Sequence, residues 1–131
     1  AAALADLLKV NHQIGWLVLS KNAIGTFGAT CIADGLLENT GIKHLVLADN
    51  NIGDTGVKNL CRASETHPKI ESLFLQGNPI SEEGVSSLEK LIKKNDTIQR
   101  IDIRNIDIEA PNSNLSSIHE TSDLRNVKCY S

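Results

Sequence analysis

Four stretches of the chain are versions of one line: IGWLVLSKNAIG from Ile14, IKHLVLADNNIG from Ile42, IESLFLQGNPIS from Ile70 and IQRIDIRNIDIE from Ile98. Each begins 28 residues after the one before, with no insertion or deletion. Aliphatic side chains recur at the same places in all four: Ile14, Leu17, Leu19 and Ile24, then Ile42, Leu45, Leu47 and Ile52, then Ile70, Leu73, Leu75 and Ile80, and last Ile98, Ile101, Ile103 and Ile108. A register held four times marks an internal repeat, and a period of this length belongs to stacked architectures in which each unit is too small to bury its own apolar face.

Eight residues into the first three stretches stands an asparagine: Asn22, Asn50 and Asn78. A chain leaving a strand carries backbone N–H and C=O groups with no ladder partner, and a buried carboxamide can both donate and accept. Stacked copies predict an asparagine ladder. In the fourth stretch the position is Ile106, so the ladder is expected to stop there.

The second half of each repeat carries helical spacing. Ala29, Ile32, Ala33 and Leu36 form one face, Val57, Leu60 and Cys61 the next, and Val85, Leu88 and Ile92 the third. Gly28, Gly56 and Gly84 stand just ahead of these faces, and the glycines Gly25, Gly28, Gly53 and Gly56 are read as serving turns. Asn39, His67 and Asn95 share one place three residues before the next strand, where helix-ending residues belong. The opening ALADLLKVN matches the helical half, with Leu4, Ala5 and Leu8 on the face and Asn11 at the helix end.

This pattern resembles the leucine-rich repeat family, LxxLxLxxNxI, and within it the ribonuclease-inhibitor-like subtype, whose repeats of about 28 residues each hold a strand and a full helix. The resemblance covers residues 1–108 and implies an α/β solenoid, with a curved parallel sheet on the concave face and helices on the convex face. It divides the chain into a half repeat, three full repeats and a degenerate terminal one. Residues 109–131, broken from the pattern at Pro111, are then a C-terminal cap built on Leu115, Ile118, Leu124 and Val127, or a flexible tail. Opening inside a helix and without a methionine, the array reads as the C-terminal part of a longer run.

Composition narrows the function. Aromatic residues are 3% of the chain against 40% hydrophobic, so aliphatic side chains must fill the interior. A net charge of −3 offers no basic face for phosphate backbones, which argues against nucleic acid. Cys31, Cys61 and Cys129 form no CxxC pair, and His12, His44, His67 and His119 are scattered, so no metal site or disulfide framework is expected. The first two cysteines read as small core residues, and Cys129 as a free surface thiol. No apolar run reaches the roughly 18 residues of a membrane span. A cytoplasmic monomer without cofactors is the expectation.

Side chains alternate along a strand, so three columns should face the concave side. The first holds Trp16, His44, Ser72 and Arg100, and the second Val18, Val46, Phe74 and Asp102. The third holds Ser20, Ala48, Gln76 and Arg104. The only tryptophan and one of two phenylalanines thus lie where the core does not need them. Trp16, Val18, Val46 and Phe74 are expected to form one apolar patch, with His44 beside it and a charged flank of Arg100, Asp102 and Arg104. An apolar centre with a polar rim is how partner-binding surfaces are organised, and Trp and Arg are common anchors.

A protein–protein interaction module using this face is therefore the leading expectation, its partner unidentified. The resemblance also admits a GTPase-activating or other regulatory repeat protein, and a structural spacer. Catalysis is not expected. Ser20, His44 and Asp49 supply the residue types of a hydrolytic triad, but an open sheet would neither exclude water from a nucleophile nor build an oxyanion hole.

Overall fold

In a computed structural model, which describes residues 1–106 and the backbone of 128–130, the period becomes a stack. Helix α1 (Ala2–Val10) leads to strand β1 (Trp16–Val18), then α2 (Gly25–Glu38), β2 (His44–Val46), α3 (Asp54–Glu65), β3 (Ser72–Phe74), α4 (Glu82–Lys94) and β4 (Arg100–Asp102). A fifth strand, β5 (Lys128–Tyr130), follows. All five are parallel and lie in chain order. A constant spacing gives a constant register: Trp16 pairs with His44, His44 with Ser72 and Ser72 with Arg100.

The strands are three residues long because each needs only one inward side chain between two outward ones. Leu45, Leu73 and Ile101 are that inward column, and all three are fully buried. Leu47, Leu75 and Ile103 continue it past the strand, and Ile52 and Ile80 close the turn. Ile32, Leu60 and Leu88 meet them from the helices. Each such side chain contributes about 1.5–3 kcal/mol on leaving water.

Four equivalent corners turn the chain out of the sheet. Lys21, Asp49, Gly77 and Asn105 hold φ values of 60°, 55°, 73° and 56°, the left-handed region. Gly77 suits it for a second reason: an added Cβ would lie 1.9 Å from the Asp49 carboxylate.

Of the glycines expected in turns, Gly25 and Gly53 stand where a helix starts, and Gly28 and Gly56 lie inside one, as Gly84 does. Gly28, Gly56 and Gly84 lie inside α2, α3 and α4, and a Cβ on them would stand 2.6, 2.8 and 2.4 Å from Cγ2 of Ile24, Ile52 and Ile80. Their role is close approach of helix to turn. Gly25, at φ +70°, is a conformational glycine.

Helix starts are tied across repeats as well. Gly53 N donates to Thr26 Oγ1 at 2.9 Å, and one repeat later Ser81 N donates to Asp54 Oδ1 at 2.8 Å. Asp54 also accepts from the Ser81 hydroxyl and from Gly84 N, placing a carboxylate where the α4 dipole favours it.

Ile108, the cap-or-tail alternative for 109–131 and the Cys129 side chain lie outside the described residues. Strand β5 was not expected. It pairs with β4 in parallel, Arg100 with Lys128, which is the 28-residue step once more. The sequence concealed it because the places of Leu17 and Leu19 fall on Cys129 and Ser131.

Candidate functional site

The concave face is built column by column. In the first column the Trp16 and His44 rings stack across β1 and β2, their centroids 4.0 Å apart and their planes tilted by 31°. His44 Nε2 lies 3.9 Å from Glu71 Oε2, which anchors the far side of the imidazole. Ser72, next in the column, is buried. In the second column Val18, Val46 and Phe74 are register neighbours, so the expected apolar patch is contiguous along the sheet. Its accessible part is concentrated at one end. Trp16 and Val18 are each 61% exposed, whereas Val46 and Phe74 are half-buried.

The charged flank differs from its expectation. Asp102 does not stand in solvent; it is 2% exposed. Arg104 folds back over it, with Nη2 donating to Oδ2 at 2.7 Å and Nε to Oδ1 at 3.1 Å, while Arg104 N donates to Oδ1 at 3.1 Å. A bidentate guanidinium is the partner a buried carboxylate needs. The Arg100 guanidinium carbon stands 5.7 Å from the Phe74 ring centroid, a cation–π distance. The flank therefore closes over the fourth strand and half-covers Phe74. What remains open is the Trp16–Val18 end.

The two asparagine positions behind this face are a scaffold. Asn50 Oδ1 accepts from Asn22 N at 2.8 Å and Ile24 N at 3.3 Å, and its Nδ2 donates to the Leu19 and Ala48 carbonyls. Asn78 repeats this one unit on, accepting from Asn50 N and Ile52 N at 3.0 Å. Asn22 keeps the donor half, to Leu19 O and Ser20 O, and is exposed beside the edge strand β1.

A second ladder, read from the sequence only as helix ends, runs along the opposite edge of the core. Asn39 Nδ2 donates to the carbonyls of Leu8 and Asn11, both at 2.9 Å, and its Oδ1 accepts from Gly41 N and Ile42 N. Asn95 donates to Ser64 O and accepts from Thr97 N and Ile98 N. His67 stands between them. The shared position was the signal available in the sequence. Nothing in a helix-end asparagine announces that it will be buried. Phe27 of α2, not singled out by the repeat pattern, is at 81% the most exposed large apolar side chain among the described residues.

Among the described hydrogen bonds none joins Ser20, His44 and Asp49, and among the described residues no three His, Cys, Asp or Glu side chains are grouped to hold a metal ion. Cys61 is buried, and burial, with Glu65 nearby, pushes its thiol well above the ordinary range, away from the thiolate form. Among the described residues no helix is long and apolar enough to cross a membrane.

A family model described as Leucine Rich repeat matches residues 38–61 and 66–88. Two solved structures share the fold. One is the leiomodin-1 actin-binding site 2, with a TM-score of 0.84 at 15% identity over 97% of this chain and 77% of that one. The other is the tropomodulin C-terminal domain from Caenorhabditis elegans, with a TM-score of 0.81 at 15% identity over 98% and 81%. No curated protein matches the sequence at a significant level. The architecture is thus that of a leucine-rich repeat domain, with parallel strands in one sheet and helices alternating with the first four of them.

Proposed function

We propose that this chain is a recognition module of the ribonuclease-inhibitor-like kind that binds a protein partner through its concave face and catalyses no reaction. Trp16, Val18, His44, Val46 and Phe74 form the contact, bordered by Arg100 and by Arg104 held on Asp102. One observation carries the reading: Trp16 and Val18 are 61% exposed on the outward side of a strand whose alternate residue, Leu17, packs against the core. An exposed indole stacked on an imidazole is a preordered anchor, and such a side chain can carry about 2 kcal/mol or more of binding. The module is proposed to work as a cytoplasmic monomer, with no nucleic acid or membrane among its partners.

Actin, for which the leiomodin-1 domain is named as a binding site, is the first defined partner to try with purified protein. Binding that falls at least tenfold in a Trp16→Ala/Phe74→Ala variant with an unchanged circular dichroism spectrum supports the proposal. A partner held equally well by the folded double variant removes the concave face from it.

A further inference from the structure

The convex side of the stack departs from its own period at one helix. The place of Phe27 is taken in later repeats by Thr55 and Glu83, and that of Leu37 by Glu65 and Lys93. Helix α2 alone turns large apolar side chains outward at both places: Phe27 is 81% exposed and Leu37 62%. The core takes Ile32, Ala33 and Leu36 from this helix and has no need of either. The two stand ten residues apart in sequence, about 15 Å along the helix.

The space beside Leu37 departs from the period as well. Between α3 and α4, Lys94 Nζ stands 3.8 Å from Glu65 Oε1 and bridges the two helices. The same two places between α2 and α3 hold Leu37 and Thr66, which cannot form an ion pair. A groove of about 370 Å³ lies open there, with the buried Ala33 and Ala63 in its lining. Nearer the helix starts it is spanned by the bond from Asn59 Nδ2 to Thr30 Oγ1, at 3.0 Å. Its walls are oppositely charged, with Asp34 on α2 and Arg62 on α3, both exposed. Among the described residues neither side chain holds an ion pair or a hydrogen bond. The other charge on α2 is Glu38, and on α3 the exposed Lys58 stands one turn before Arg62.

We infer that the α2–α3 groove docks an amphipathic helix of a protein partner. The apolar stripe of that helix lies over Ala33, Leu37 and Ala63 and extends toward Phe27. Its basic flank meets Asp34 and Glu38, and its acidic flank meets Lys58 and Arg62. Charge complementarity selects a helix: it carries two separate flanks on either side of one apolar stripe, whereas an extended strand offers only two alternating faces. The groove shares no residue with the concave face and stands apart from that reading.

The probe is a synthetic helix of about four turns, with leucines on one stripe, lysines on one flank and glutamates on the other. Titrated into the ¹⁵N-labelled chain, it is expected to shift the amides of Ala33, Leu37 and Ala63 saturably while those of Trp16 and Val46 stay in place. A Leu37→Glu/Thr66→Lys variant installs the Glu65–Lys94 bridge at this groove, so it keeps the circular dichroism spectrum and binds the probe about tenfold or more weakly. Phe27→Thr, which copies Thr55 of the next repeat, should also weaken binding. A titration without saturable shifts at the groove overturns the inference, and so does equal binding by the bridged variant. Shifts confined to Trp16 and Val46 overturn it too, and leave the concave-face reading in place. If the chain sediments as a dimer that Leu37→Glu dissociates, a second copy fills the groove and the inference fails.

Discussion

The carboxamide of Asn39 and the imidazole of His67, one repeat apart, are joined inside the protein: Nε2 stands 3.3 Å from Oδ1. The other ring nitrogen, Nδ1, accepts from Lys69 N and Ile70 N, both at 3.2 Å. That geometry assigns the neutral tautomer with its proton on Nε2, since two backbone donors already face Nδ1. Burial, assisted by Lys69, holds the His67 pKa below its ordinary value.

Stability should therefore depend on pH with a definite sign. The unfolded chain takes up this proton near the ordinary histidine value of about 6.5, and the folded chain only at a lower pH. The contribution of neutral His67 is complete above about pH 6.5 and is lost as the pH falls through the depressed folded value. Urea unfolding at pH 7.5 and at pH 5 should show the midpoint falling. A His67→Asn variant, with the side chain used at Asn39 and Asn95, should lose part of that slope. An identical slope in the variant would mean that other groups govern it.

The asparagines of the ladder should be unequal in the same assay. Asn50→Ala strands the amides of Asn22 and Ile24 and takes one of two donors from the carbonyls of Leu19 and Ala48, which keep Asn22 Nδ2 and Lys21 N. The expected loss is about 2–4 kcal/mol, since each unsatisfied group costs about 1–3 kcal/mol and some of them will find water. Asn22→Ala, at an exposed end, should cost about 1 kcal/mol or less. Equal losses would show that the ladder adds nothing beyond local turn bonding.

Gly84 and Gly28 occupy one place in two repeats and predict different costs. A Cβ on Gly84 would meet Ile80 Cγ2 at 2.4 Å and Asp54 Oδ1 at 2.6 Å, with Ile80 fully buried. On Gly28 the nearest atom is Cγ2 of Ile24, which is only partly buried and can move aside. Gly84→Ala should destabilise by about 1–3 kcal/mol through overpacking, despite the gain of about 1 kcal/mol in helix propensity. Gly28→Ala should be close to neutral. Thermal melts of the two single variants settle the order.

The sequence by itself determined the architecture. A period of 28 with aliphatic residues at constant places leaves little choice but a parallel stack, because only stacking buries that column. It also placed Trp16, Val18, Val46 and Phe74 on one face, since strand alternation needs no tertiary information. Tertiary structure decided how much of that face is open. Asp102 reads as a rim charge from its column, but whether Arg104 reaches back to cover it depends on side-chain geometry that alternation does not encode. The same holds for Gly28, Gly56 and Gly84, where helix and turn approach too closely for a Cβ, and for His67, whose buried ring bridges the Asn39 carboxamide and the Lys69 and Ile70 amides. A repeat fixes direction and register, both local and periodic. Depth, contact and protonation depend on what lies one repeat away in space.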